Sequence, residues 1–487
     1  MDIKGFIANL DSYSGPRSYF LFEALVLELI QKYLKDQSKP FFPHYTSPEK
    51  FEYDGFAPNG IGDLLGPTII EAKLFRGKVS LQSLDRVITK FMRDDSFYKN
   101  ILVIIEKNLT QSERLGILEY FPISDINIKI WDISDLIRLS DNYPQSTINS
   151  ISELFESIFQ NTVSHSLRIS PDEWKGKRDE YISRLKQSYR NDELVLFLGS
   201  GISRDAGIPV WNDLVYDLFV ALIRDKLGNE IEFNEFEENF IIGKLKEFHE
   251  ASQLLQARYI RTGLGDSFYE VISKVLYKNY KRLNTKSDLL KAISRICVGG
   301  RIRSIVTYNF DNLLEEILCE TGLPFRPIYR DMDSPSQKEL AINHVHGFLP
   351  ENAENYEGLT ESLLVFSEEG YHSLIQDPYS WANIMQLNLL RENTCLMIGL
   401  SVIDPNLRRL LAISARSIEE PKHYVILKKQ EFKKSEDTKN EIRDETLQVF
   451  ANVNQVLQEK TFQELGLNII WVESYEEIPS ILDSIRT

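Results

Sequence analysis

Four apolar runs from residue 194 onward in this 487-residue sequence end in residues able to bind or react. Leu194–Leu198 gives way to Gly199-Ser200-Gly201-Ile202-Ser203, with Gly207-Ile208-Pro209 and Trp211 close behind. Ser304–Val306 leads into Thr307-Tyr308-Asn309-Phe310-Asp311, and the run from Ile342 ends in His344-Val345-His346-Gly347. Thr394–Ile398 ends in Gly399-Leu400-Ser401, with Asp404 just after. A glycine turn after a strand lets backbone come close to a phosphate. An imidazole with a pKa of about 6.5 accepts a proton at neutral pH, which makes His346 the candidate general base. Taken singly, each feature has a plainer use. A Gly-x-Gly turn also serves tight packing, an Asn-x-Asp after a strand caps a helix, and a histidine before glycine is often structural. Their joint occurrence at successive strand ends is what points to a site.

A second group lies near the N-terminus, in the stretch FEYDGFAPNGIGDLLGPTIIEAKLF, residues 51–75. Glu71 and Lys73 share one face of a strand, because side chains alternate along it. Asp63, placed on the neighbouring hairpin arm, is expected to reach that face. Two carboxylates and a lysine there suit a divalent metal such as Mg2+ and an activated water. Glu23, on an earlier helix, is a candidate additional acid, with Glu28 on the same helix as the alternative. The plainer reading is an edge-strand surface pair.

The elements that must carry these groups alternate. Tyr19–Leu34 has apolar residues on most of its surface and reads as a mostly buried helix. Leu81–Arg93, Gln111–Phe121 and Asp132–Leu139 read as helices, with strands at Thr68–Ile70, Ile101–Ile105 and Ile126–Trp131. Ile151–Phe159 and Pro171–Tyr189 are polar helical stretches, with Ser170-Pro171-Asp172 as the cap between them. The second α/β region opens at Glu193; Asn212–Lys226 is an amphipathic helix, and residues 229–300 are helical in pattern, Glu247–Arg261 and Phe268–Tyr280 included. Further strands fall at His423–Leu427 and Leu467–Val472. Short apolar strands alternating with helices indicate a doubly wound parallel sheet. Asp404 and Arg408, four apart, read as a helix-surface or capping pair.

The 43% hydrophobic and 26% charged composition is that of a soluble globular chain, long enough for two or three domains. No run approaches the roughly 20 apolar residues that span a bilayer, so no membrane association is expected. The first residues lack a secretory pattern. The three cysteines, Cys297, Cys319 and Cys395, form no CxxC pair and no disulfide or zinc framework. A cytoplasmic location is the expectation. A net charge of −16 argues against a chain devoted to non-specific nucleic-acid binding, while leaving room for a local basic face.

Read in order, GSGIS with AGIPVW, TYNFD, HVHG and GLS resemble the sirtuin family. Its pattern is a Gly-Ala-Gly-x-Ser turn with Gly-Ile-Pro, then Thr-x-Asn-x-Asp, His-Gly and Gly-x-Ser. The resemblance covers about residues 193–475. It implies a Rossmann-like doubly wound parallel sheet and NAD+ as ligand. It further implies that Gly199, Ser200, Gly201, Ser203, Pro209 and Trp211 line the dinucleotide, with the pyrophosphate on the turn and on the helix that follows. Gly399 and Ser401 would take the adenosine side, Asp311 the nicotinamide carboxamide, and Asn309 the attacking water or ribose hydroxyl. His346 would be the base, with His344 behind it. The paired cysteines of the zinc-bearing deacylases are absent, which disfavours acyl-lysine substrates and sets zinc aside. Trp211-Asn212, the helical 229–300 segment and GLSVIDPNLRRLL at 399–411 look like the sirtuin-like NAD hydrolases of bacterial antiphage defence. NAD+ is then a substrate, cleaved to nicotinamide and ADP-ribose.

Helix–strand–strand–helix–strand–helix–strand order with Asp-x7-Glu-x-Lys resembles the PD-(D/E)xK restriction-endonuclease superfamily, in its Mrr-like branch. The expected domains are residues 1–145 as a restriction-endonuclease-like α/β domain, 146–190 as a helical connector, and 191–487 as the sirtuin-like domain. The N-terminal domain would sense, assemble or contact nucleic acid. Expected partners are further copies of the chain, an ATPase or a phage-derived trigger. The alternative is a metal-dependent DNA nuclease regulated by the NAD-binding domain.

Overall fold

A computed structural model of the chain describes residues 3–10, 16–49, 51–75, 79, 81–94, 98, 100–121, 127–141, 173–227, 236–237, 240, 253–280, 287–418, 420–430, 432 and 443–487. The expected helix at Ile151–Phe159, the Ser170-Pro171-Asp172 cap and parts of the 229–300 segment lie outside the described residues. The chain divides into two compact units. The first comprises residues 1–176, 415–421 and 430–466; the second comprises 177–414, 422–429 and 467–487. A single cut near residue 190 therefore does not describe the packing, because 430–466 folds with the first unit.

In the first unit, α1 (Ile3–Leu10) and α2 (Pro16–Asp36) precede β1 (Phe42–Thr46), β2 (Glu52–Ala57) and β3 (Thr68–Lys73). Then come α3 (Leu81–Arg93), β4 (Asn100–Ile105), α4 (Gln111–Tyr120), β5 (Asn127–Trp131) and α5 (Ile133–Asp141). The five strands stand in sequence order, antiparallel across β1, β2 and β3 and parallel from β3 to β5. Leu21, Leu25 and Ile30 of α2 pack with Ile70, Leu102 and Ile104 on one face of the sheet. Leu84, Val87 and Phe91 of α3 pack with Ile69, Ile101 and Val103 on the other. Alternate residues of β3 and β4 thus point to opposite cores, which is why both strands read as continuous apolar runs. β1 escapes a pattern search because Phe42-Pro43-His44-Tyr45-Thr46 is half-exposed and carries a proline.

The second unit follows α6 (Glu173–Arg190) with β6 (Leu194–Leu198) and two single-turn 3-10 helices, Ser200–Ile202 and Arg204–Ala206. Among the described residues, α7 (Trp211–Leu227), α8 (Gln253–Leu264), α9 (Phe268–Leu276) and α10 (Asp288–Val298) come next. β7 (Ile302–Thr307), α11 (Leu313–Thr321), β8 (Phe325–Ile328) and β9 (Leu340–His344) lead to α12 (Glu368–Gln376) and α13 (Trp381–Glu392). After β10 (Thr394–Ile398), α14 (Pro405–Ala415) and β11 (His423–Lys428), α15 (Asp444–Gln463) joins the first unit; β12 (Leu467–Val472) and α16 (Ile478–Arg486) complete the second. The seven strands lie in the order β12-β11-β10-β6-β7-β9-β8, and every pair is parallel. This is the expected Rossmann-like sheet. Leu194 to Leu198 are all fully buried, so both faces are covered. The chain leaves β6 toward β7 on one side and later returns as β10 on the other. That reversal makes a crevice at the carboxyl end of β6, where open α/β sheets bind ligands.

Candidate active site

Because β10, β6, β7 and β9 are neighbours in the sheet, the four polar strand ends lie side by side. At the first, the turns after β6 and β10 interlock. The Gly199 amide donates to Ile398 O at 3.0 Å and the Gly201 amide to Gly399 O at 3.2 Å. A Cβ on Gly201 would meet the Gly399 Cα at 2.8 Å, and one on Gly399 the Ile202 amide nitrogen at 2.8 Å. Both amides are committed inside the protein, and glycine here permits the close approach of the two turns. The expected helix N-terminus after the turn is also displaced: the 3-10 turns intervene, and α7 begins only at Trp211. Pro209 is half-buried; Trp211 packs edge-on against Phe366, with ring centroids 5.2 Å apart. Ser401 is exposed beyond Gly399.

At the end of β7, Ser203, Asn309 and Asp311 form one buried network. The Ser203 hydroxyl donates to Asp311 Oδ1 at 3.1 Å and accepts from Asn309 Nδ2 at 3.2 Å. Asp311 Oδ1 also accepts the Leu313 amide at 3.1 Å, at the start of α11. Burial pushes the Asp311 carboxyl up to about 6, against the opposing pull of the Leu313 amide and the Ser203 hydroxyl. Asn309 Oδ1 is buried with no hydrogen-bond partner among the described residues. A buried acceptor left without a partner is costly, and a ligand or water is what would satisfy it.

β9 ends at His344, so the strand stops short of His346. Buried His344 holds the backbone of its neighbour: Nδ1–H donates to Asn309 O at 3.3 Å, and Nε2 stands 2.7 Å from Glu315 Oε1. His346 lies one turn further, where Gly347, at φ +107°, lets the 363–365 segment come close. A Cβ there would meet Leu363 O at 2.7 Å, and the Val365 amide donates to His346 O at 2.7 Å. The His346 ring is buried between Tyr308, edge-on at 4.6 Å, and Tyr371, edge-on at 5.6 Å. Its Nε2 has no hydrogen-bond partner among the described residues, and Asp404 Oδ2 is 3.6 Å away. Burial lowers the imidazole's pKa, with Asp404 opposing, so the ring is neutral at pH 7 and able to accept a proton.

The N-terminal candidates are arranged differently from expectation. Glu71 and Lys73 do share a site: Lys73 Nζ is 3.1 Å from Glu71 Oε2, while Lys90 of α3 binds Oε1 at 2.7 Å. Asp63 is not with them. The loop after β2 carries it past the strand, where its exposed carboxylate pairs with Lys129 of β5. The residue across from Glu71 is Asp54, one step beyond the Gly55–Ile70 pair of the β2–β3 register. Asp54 accepts the Ala72 amide at 2.7 Å; burial, Glu71 and Glu23 raise its pKa, with Lys73 opposing. Glu23 joins this group, 3.3 Å from His44 Nδ1; burial disfavours its charge, but Lys460, His44 and Lys73 bring its carboxyl down to about 2. Asp63 thus pairs with Lys129 and Glu71 with two lysines, rather than the two carboxylates facing each other. Among the described residues no cluster of three or more His, Cys, Asp or Glu is arranged to hold a metal ion.

The parallel sheet thus brings a buried Asn, Asp and His together at adjacent strand ends. Residues 303–450 match the SIR2-like domain family. It is 22% identical over 314 residues to the NAD(+) hydrolase ThsA of Enterococcus faecium, covering 63% of this chain and 57% of that protein. The chain thus spans little more than half the length of this curated relative. A solved structure titled "Structural Basis for the Mechanism and Regulation of Sir2 Enzymes" aligns at 13% identity and a TM-score of 0.25, covering 60% of this chain and all of that one.

Proposed function

We propose that the second unit cleaves the nicotinamide–ribose bond of NAD+, and that the chain is an effector which depletes NAD+ during phage infection. The observation that carries this reading is that Asn309, with its buried Oδ1 lacking a hydrogen-bond partner among the described residues, stands with buried Asp311 and His346 at neighbouring strand ends of a SIR2-like domain. The relative named an NAD(+) hydrolase supports it. Asn309 Oδ1 accepts a hydrogen from the attacking water or a ribose hydroxyl, and Asp311 takes the carboxamide N–H of nicotinamide. The water oxygen bonds to C1′ as the C1′–N bond breaks. The electron pair leaves with nicotinamide, which departs neutral and needs no general acid. His346 accepts the water proton.

The first unit we assign to sensing or assembly, through self-association, a partner protein such as an ATPase, a phage-derived trigger or nucleic acid. Its α2-β1-β2-β3-α3-β4 order, with Glu71 and Lys73 on β3, supports a restriction-endonuclease-like origin. Light scattering on the purified chain tests self-association; a monomer at working concentration counts against it. For the chemistry, incubation with NAD+ and chromatography of nicotinamide is decisive. Wild type releases nicotinamide, with a trigger if one is needed, and His346→Ala and Asn309→Ala each lose at least about a hundredfold in rate. Equal release by the variants would refute the assigned roles.

A further inference from the structure

We propose that Asp404 positions His346 for proton transfer, with Tyr371 locking Asp404 in place. This rests on the reading of His346 as the general base. Asp404 lies just before α14, and both of its carboxylate oxygens are fixed. Oδ1 accepts the Leu407 amide at 2.7 Å. Oδ2 accepts the Tyr371 hydroxyl at 2.5 Å and faces His346 Nε2 at 3.6 Å. The loop that delivers it is strained: Val402, β-branched and buried, sits at φ +56°. Only glycine adopts that region readily, and such strain persists where the surroundings over-determine the backbone. Arg408 donates to Val402 O at 3.2 Å and pins the same loop.

A carboxylate opposite one ring nitrogen selects the tautomer that carries hydrogen there. With Nε2–H directed at Asp404, the lone pair on Nδ1 is left to take the water proton. The imidazolium that forms then faces a carboxylate, which stabilises it. At 3.6 Å the contact is longer than a hydrogen bond and closes as the ring gains charge. Among the described residues the aromatic rings packed on it are those of Tyr308 and Tyr371; the Tyr308 hydroxyl donates to Gln386 Oε1. Asp404 is thus the charged group that sets the ring's orientation. The competing role is a helix cap on α14, which asparagine performs equally well. Asp404→Asn therefore separates the two.

Steady-state kinetics of the full chain, thermal unfolding and NMR of carbon-13-histidine-labelled protein test the proposal, with the His346 signal assigned through His346→Gln. For Asp404→Asn we expect kcat down about a hundredfold, KM within about threefold, and an unfolding temperature near that of wild type. Losing the carboxylate lowers the basicity of the ring, so the acid limb of kcat and the His346 titration midpoint both move to lower pH. Tyr371→Phe gives the same changes at about a tenfold loss in kcat, and carries the test if Asp404→Asn fails to fold. A kcat within twofold of wild type, or an unmoved His346 midpoint, overturns the proposal and leaves Asp404 a helix cap. The NMR arm needs no turnover. If wild type releases no nicotinamide while the midpoint still falls in Asp404→Asn, the contact stands and the NAD+ reading fails.

Discussion

At the scale of single residues, Asp311 makes the sharpest prediction. Its carboxyl, pushed up to about 6 by burial, is mostly protonated below that pH and then accepts the carboxamide N–H more weakly. We expect KM for NAD+ to rise as pH falls from 7 to 5, and Asp311→Asn to flatten that profile at a raised KM. A KM independent of pH across this range would remove Asp311 from the substrate contacts. The sign for stability is opposite. A raised folded-state pKa means the native chain holds this proton more tightly than the unfolded chain. The contribution is full below the ordinary carboxyl value of about 4 and is lost as pH rises through about 6.

At the scale of elements, the site depends on how closely two turns approach. Gly399 sits at φ +68° with its α-carbon against the Gly201 turn. Gly399→Ala combines backbone strain with a clash against backbone atoms, so we expect about 2–4 kcal/mol of destabilisation in denaturant titrations. A loss under about 0.5 kcal/mol would mean that the turns separate freely. The strand ends were legible in the sequence because fully buried parallel strands read as apolar runs that stop abruptly at polar residues. Asn309, Asp311 and His346 stood out for that reason. Tyr371 and Glu315 did not: both lie on helices and reach the site only through tertiary packing, so no local period marks them. Asp404 was read with Arg408 as a helix-surface or capping pair; it does cap the helix through the Leu407 amide, while Arg408 turns to Val402 O and the other Asp404 oxygen to Tyr371. Asp54 was missed for Asp63 because strand pairing, not spacing from Glu71, decides which acid lies opposite.

At the scale of the whole molecule, the buried charges of the first unit are predicted to be structural and its stability separable from the chemistry. Lys73 holds Glu71 and lies in the field of Asp54, so Lys73→Met leaves buried carboxylates short of a cation. We expect about 2–3 kcal/mol lost from the first unit, seen as one lowered transition in calorimetry. The rate of nicotinamide release should be unchanged under conditions where both units remain folded; a proportional fall in rate would show that this cluster serves the reaction. No helix among the described residues is long and apolar enough to cross a membrane.

The most direct test of the central claim is a reaction of NAD+ with excess enzyme in oxygen-18 water, followed by mass spectrometry of both products. One nicotinamide should appear for each ADP-ribose, with a single oxygen-18 at the ribose carbon, and His346→Ala should leave NAD+ intact. Unlabelled or cyclised ADP-ribose would contradict attack by water. Intact NAD+ with wild type, in the presence of phage lysate as trigger, would contradict the account as a whole.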